Sequence, residues 1–196
     1  MKVSANFTPF VQRFITVAES ASSAEKHIYG DPRASCFHAR HALERLVKRV
    51  YKIDKSLSPP KIQNLDNYIT EPAFVALVPE PVLLKAEFIR KAGNVAVHSN
   101  KTPEPETALS MVQELFDVLY WAGRTYQRNG PQELEGKSFD EAIVPKDPYG
   151  TPSSLDELEQ LNAQLDAAEE TRRETENHLE QLPDKSFFVP KTEIVK

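Results

Sequence analysis

The sequence is poor in cysteine, which can cross-link a chain, and in glycine, which makes a chain flexible. It has one cysteine, Cys36, and six glycines among 196 residues. A single cysteine excludes a disulfide framework and fits a reducing cytosol. No apolar stretch is long and uncharged enough to cross a bilayer, and no signal peptide is visible. We therefore expect a soluble, cytoplasmic protein with no membrane partner.

Positive charge is also in deficit. The chain has 24 lysines and arginines against 29 aspartates and glutamates, which gives a formal net charge of −5. This balance argues against a protein whose whole surface binds nucleic acid, because such surfaces repel phosphates unless they are basic. A local basic patch is still compatible with it.

Helical periodicity is the strongest pattern that the sequence does contain. Apolar residues recur three and four positions apart in four long segments, and prolines separate the segments. Asp31 before Pro32 is a helix start signal, because the carboxylate can accept a free backbone N–H and proline has none to leave unpaired. The sequence therefore predicts an all-α fold, with a compact bundle of four to five helices over residues 1–128.

The pattern changes after this predicted bundle. Residues 129–152 are rich in glycine and proline and are predicted to be a linker. Residues 153–182 repeat leucine at heptad spacing in an acidic background, which predicts a long helix, either single or in a coiled coil. Residues 183–196 form an irregular tail, which we expect to lead to downstream domains outside this sequence.

The predicted central helix has a narrow polar stripe. Arg90, Asn94 and His98 are four residues apart, so their side chains stack on successive turns. The remaining positions are mostly apolar, and we expect most of this helix to be buried. Gly93 costs about 1 kcal/mol relative to alanine inside a helix, which indicates close packing or a kink. A simple solvated face is the alternative interpretation of the stripe.

The second predicted helix has the most basic surface of the chain. Its candidate contacts with DNA or a protein partner are Arg40, Arg45, Lys48, Arg49 and Lys52. An ordinary solvated face is the alternative, since Glu44 is spaced to pair with Lys48 on the next turn.

Catalytic and metal sites are not indicated. His38 and His41 are three residues apart, and His98 could add a third ligand, but no cysteine or carboxylate completes a metal site. Residues 136–138 spell Gly-Lys-Ser without the earlier glycine that a phosphate-binding loop needs. We predict no catalytic residue, no metal and no cofactor within this sequence.

Two stretches carry a resemblance to known families. Residues 40–47 and 89–98, followed by a terminal helix, a linker and a heptad helix, resemble the helical domain that opens the R subunit of type I restriction enzymes. Residues 94–98 also resemble the Arg-Asn-x-x-x-His motif of the HEPN superfamily, which includes many dimeric ribonucleases. Gly93 stands at the arginine position of that motif and the charge has moved to Arg90. The resemblance therefore implies the fold more than the activity.

The restriction-enzyme resemblance implies that the chain is the N-terminal fragment of a larger motor and nuclease subunit. Such subunits use ATP and Mg²⁺ in helicase lobes to translocate DNA, cleave it as site-specific deoxyribonucleases, and assemble with methyltransferase and specificity subunits. The sequence has no nuclease or helicase motif of its own. The implied role is a docking, regulatory or DNA-contacting module. A HEPN-type ribonuclease using Arg90, Asn94 and His98, and a stand-alone interaction scaffold, stay open as alternatives.

Overall fold

The computed structural model describes residues 3–98 and 101–146, together with residues 167, 170 and 171. Every regular element in these ranges is helical, which confirms the predicted all-α class. The described α-helices are α1 (Val11–His27), α2 (Pro32–Ile53), α3 (Leu65–Thr70), α4 (Pro72–Leu77), α5 (Glu80–His98), α6 (Pro105–Tyr126) and α7 (Gly130–Glu133). Short 3₁₀ turns lie at Thr8–Phe10 and Glu141–Ile143. In the same ranges, no helix is both long enough and apolar enough to span a lipid bilayer.

The chain divides into two compact units, residues 1–149 and residues 150–196. The described part of the first unit is called the helical unit below. The heptad helix predicted over 153–182 and the tail over 183–196 fall outside the described residues, apart from three helical positions in the heptad segment.

Local signals in the sequence set where several helices begin. The Asp31 carboxylate accepts a hydrogen bond from the Ala34 backbone N–H at 3.0 Å, which confirms the predicted start of α2. Proline is the first residue of α4 at Pro72 and of α6 at Pro105. Pro72 therefore starts a new short helix two residues after α3 ends at Thr70.

The core lies between the four long helices, α1, α2, α5 and α6. Phenylalanines from the N-terminal segment and α6 meet at its centre: the Phe10 and Phe116 rings are 5.3 Å apart in an edge-to-face pair, and Phe7 lies 6.1 Å from Phe116. These three side chains are at most 2% exposed. Burial of large aromatic side chains is a major source of hydrophobic stabilisation.

The prediction that most of α5 is buried is corrected. Only Ala86, Ile89, Gly93 and Ala96 are buried along this helix. Leu84 and Val95 are 60% and 64% exposed. The physical reason is that α5 packs on α2, α3 and α6 through one face, so that its other apolar residues meet solvent.

Residues 129–146, the described part of the predicted linker, differ from that prediction. They form α7 and a 3₁₀ turn, with Leu134 and Val144 buried in the core. Asn6 forms two hydrogen bonds with the backbone of Asp140, one donated by its side-chain amide at 3.0 Å and one accepted at 2.9 Å. This part of the chain therefore belongs to the helical unit.

Candidate functional site

The apolar face of α2 is well packed and fixes the position of the exposed face on the other side of the helix. Leu43, Leu46 and Val50 are at most 1% exposed and anchor the helix in the core. Four cations lie on the opposite side: Arg45, Lys48, Arg49 and Lys52. Because they are spaced by three and four residues, they stand next to one another over two helical turns.

A groove of about 400 Å³ runs beside these cations. Residues 13–17 of α1 form its other wall, and Arg13 adds a fifth cation from this helix. Phe14 and Val17 are buried and close the groove toward the core. Among the described residues, no carboxylate lines it. Like charges gathered along a low-dielectric wall strengthen the local potential, so this groove attracts anions in spite of the net negative charge of the chain.

Arg45 is the most firmly positioned of the five cations. One of its guanidinium nitrogens donates to the Thr16 carbonyl at 3.1 Å and to the Ser20 hydroxyl at 3.2 Å, so the side chain crosses from α2 to α1. The Lys48 ammonium lies 2.6 Å from the Glu44 carboxylate. Within the described residues, Arg13, Arg49 and Lys52 form no ion pair and can meet an anionic ligand directly.

A second depression continues from the groove toward the start of α2. Its lining includes His38, His41 and Arg45, and Arg45 also lines the groove. Burial lowers the pKa of His38 below its usual range, and the neighbouring His27 and His41 lower it further. Burial, followed by the charge of Arg45, also lowers the pKa of His41. Both shifts favour the neutral imidazole.

Arg40 lies apart from the other predicted contact residues. Its side chain packs on Gly93 of α5, where an added Cβ would lie 2.7 Å from both Cβ and Cδ of Arg40. Its guanidinium is 3.8 Å from Glu44. Gly93 thus allows α2 and α5 to pack closely, as its position inside a helix predicted. The structure brings together Arg45, Lys48, Arg49 and Lys52, and it places Arg40 at the α2–α5 contact.

The three side chains of the polar stripe on α5 lie in different environments. The Arg90 side chain is 17% exposed, and its Nε lies 3.2 Å from the Asp66 carboxylate of α3. Asn94 is half-buried and His98 is exposed. Within the described residues, neither Asn94 nor His98 forms a side-chain hydrogen bond or ion pair. Arg90 therefore holds α3 against α5, and the stripe does not form a single assembled site.

The histidines have a packing arrangement that the sequence did not predict. The His38 ring stacks on His27 of α1, with centroids 5.5 Å apart. Among the described residues, no group of three histidine, cysteine, aspartate or glutamate side chains is placed to hold a metal ion.

Sequence reasoning missed two contributors to this face, Arg13 and Phe37. Arg13 was hidden because its role depends on α1 lying beside α2, which helical spacing alone does not reveal. Phe37 is 50% exposed and lies beside His38 and His41, which line the second depression. Phe37 itself lines a separate shallow depression with Asp31, Arg33, Ala34 and Val97. Its position one turn before His41 was the available signal.

Comparison with known proteins identified a family for this chain. The model of a family described as a domain of unknown function, DUF4145, matches residues 22–145, which is more than half of the chain. No curated protein and no solved structure matched. The matched range ends at the last turns of the helical unit and includes the C-terminal third of α1, all of α2 to α7 and the Glu141–Ile143 turn.

Proposed function

The chain belongs to the DUF4145 family, and we propose that its helical unit is a docking and DNA-contacting module without catalytic activity. The observation that carries this proposal is the groove between α1 and α2, where five cations line one surface and no carboxylate from the described part of the chain joins them. Arginine and lysine clusters of this kind neutralise phosphates and release their counterions, which is the main source of sequence-independent affinity for DNA.

We further propose that this module is the N-terminal part of the R subunit of a type I restriction enzyme. The resemblance of residues 40–47 and 89–98 to that subunit supports this assignment. In the proposed architecture, a four-to-five-helix bundle leads through a heptad helix to nuclease and helicase domains. ATP and Mg²⁺ would serve those domains, and the methyltransferase and specificity subunits would be the protein partners.

The structure offers a specific observation for a scaffold role of the α5 stripe. Arg90 is engaged by Asp66, and Gly93 is covered by Arg40. Both contacts join helices of the same unit. They favour a structural role for this part of the stripe over the ribonuclease alternative, which needs a free arginine beside Asn94 and His98.

DNA binding by the full chain across a salt series tests the proposed module. The informative variant is Arg45→Glu with Lys48→Glu, and the matched control is Lys61→Glu with Lys137→Glu. The control makes the same change in net charge at two exposed lysines that do not line the groove. We expect the wild type to bind duplex DNA with an affinity that falls steeply with salt, by a slope of about −0.9 for each phosphate neutralised.

The groove variant is expected to lose binding by at least about tenfold while the control keeps it, because removing local cations removes phosphate contacts. Circular dichroism checks that both variants fold. Equal losses in the two variants, or no binding by the wild type at low salt, would contradict the DNA-contacting role. The isolated methyltransferase core would then be the partner to test.

A further inference from the structure

We infer that the exposed face of α2 binds single-stranded nucleic acid, with phosphates along the groove and a base stacked on Phe37. This inference rests on the proposed function and names the form of nucleic acid that the same site would take.

The groove, the second depression and Phe37 follow one another along α2, with Phe37 beside His38 and His41 of the second depression. Arg45 lines both the groove and the second depression, so the two form one track. Phe37, His41, Arg45, Lys48 and Lys52 share one face of α2, because their spacings are three and four residues. At 1.5 Å per residue, the track is about 22 Å long from Phe37 to Lys52. It therefore has room for several consecutive nucleotides.

An aromatic platform stands at the end of this track. Phe37 is half exposed, and its ring plane is within 3° of that of His41, with centroids 6.1 Å apart. His38 meets Phe37 edge-on, with centroids 5.6 Å apart and planes at 73°. These neighbours support one side of Phe37 and limit its orientations. An exposed aromatic ring beside cations is the pairing that sequence-tolerant binders of single strands use.

The platform discriminates between single and double strands. In a duplex the bases are stacked on one another, so a protein surface reaches phosphates and base edges but not base faces. A single strand can place its phosphates on the lysines and arginines while one base turns onto Phe37. Glu44 does not oppose this arrangement strongly, because Lys48 lies 2.6 Å and Arg40 3.8 Å from its carboxylate. Glu19 lines the second depression, and Asp31 lines the depression at Phe37, where its carboxylate accepts a hydrogen bond from the Ala34 backbone N–H.

Fluorescence anisotropy with the full chain tests the inference. The probes are oligo(dT), oligo(U) and a DNA duplex, each of about 20 nucleotides or base pairs, a length within the range of site sizes known for single-strand binders. The key variant is Phe37→Ala, and the control is Phe88→Ala, which removes another exposed phenylalanine, on α5. We expect Phe37→Ala to weaken binding of both single-stranded probes by about fivefold to a hundredfold. Duplex binding should change by less than about twofold, and Phe88→Ala should leave all three probes unaffected.

The outcomes separate this inference from the proposed function. If Arg45→Glu with Lys48→Glu abolishes binding of every probe while Phe37→Ala changes none, the groove binds nucleic acid and the single-strand assignment is overturned. If the groove variant leaves binding of all probes intact, the proposed function fails and the inference fails with it.

Discussion

At the scale of single residues, the absence of a side chain at Gly93 sets the distance between α2 and α5. Gly93 allows the Arg40 side chain to lie directly on the α5 backbone, at separations that a methyl group would occupy. The contact explains both a glycine inside a helix and an arginine turned away from the other cations of α2. A position that lowers helix propensity is thus used for packing.

Gly93→Ala is predicted to destabilise the protein, although alanine is the better helix former. The gain of about 1 kcal/mol in helix propensity is opposed by overpacking against the Arg40 Cβ, which cannot move without its helix. We expect a net loss of about 1–2 kcal/mol in the free energy of unfolding, measured by urea denaturation. The neighbouring change Asn94→Ala serves as the control, and it should cost less. A stabilised Gly93→Ala variant would show that the helices separate freely.

The sequence could indicate that Gly93 had a packing role, but not what packed against it. Arg40 and Gly93 are 53 positions apart, and nothing in either local pattern links them. Helical spacing groups Arg40 with the basic residues, because it shares their helix. Its true surroundings follow from how α2 meets α5, and such tertiary contacts are not encoded in the period of either helix.

At the scale of elements, α2 combines a buried face with an exposed track whose histidines respond to pH. His38 and His41 have pKa values lowered from 6.5, with burial as the first cause. The charged and titratable groups that act on them are His27, Asp31, Arg40, Glu44, Arg45 and Lys48. Since the unfolded chain binds these two protons more readily than the folded chain, acid favours unfolding.

The contribution of these histidines to stability is therefore complete above about pH 6.5 and is lost as the pH falls toward their folded pKa values. We predict a lower urea midpoint at about pH 5.5 than at about pH 7.5, and a smaller difference in the variant His38→Gln with His41→Gln. Burial raises the pKa of Glu25, which acts in the opposite direction. The comparison between wild type and variant isolates the histidines, and an equal drop in both would contradict the prediction.

The helices were easier to predict from the sequence than the solvent exposure of their side chains. The start of α2 at Asp31 and Pro32 follows from capping chemistry, which acts within one turn. The exposure of Leu84 and Val95 on α5 could not be predicted from the sequence. A helix with apolar residues on all sides is expected to be buried, but this holds only when other elements cover every face. Here α5 has neighbours on one face.

At the scale of the whole molecule, the helical unit extends further along the chain than its periodicity suggested. Leu134 is fully buried, and one of its methyl groups lies close enough to Gly123 to exclude a Cβ there. Glycine and proline in residues 129–146 interrupt helical spacing without ending the fold. Short irregular segments with a few buried anchors resemble linkers in sequence, because their packing has no period.

Leu134→Ala is predicted to reduce the free energy of unfolding by about 2–4 kcal/mol, since it removes buried atoms and leaves a cavity beside Phe10 and Gly123. Leu84→Ala is the control, because Leu84 is 60% exposed and should cost far less. Chemical denaturation monitored by circular dichroism measures both. Similar costs for the two changes would mean that residues 129–146 are a detachable linker after all.

The pair formed by Asn6 and Asp140 has a consequence for how this unit can be combined with others. Two hydrogen bonds fix a residue near its first described position beside one near its last. The point where the chain enters the helical unit, before Asn6, therefore lies near the point where it leaves, after Asp140. A unit with adjacent entry and exit can be inserted into a surface loop of another protein without stretching its host.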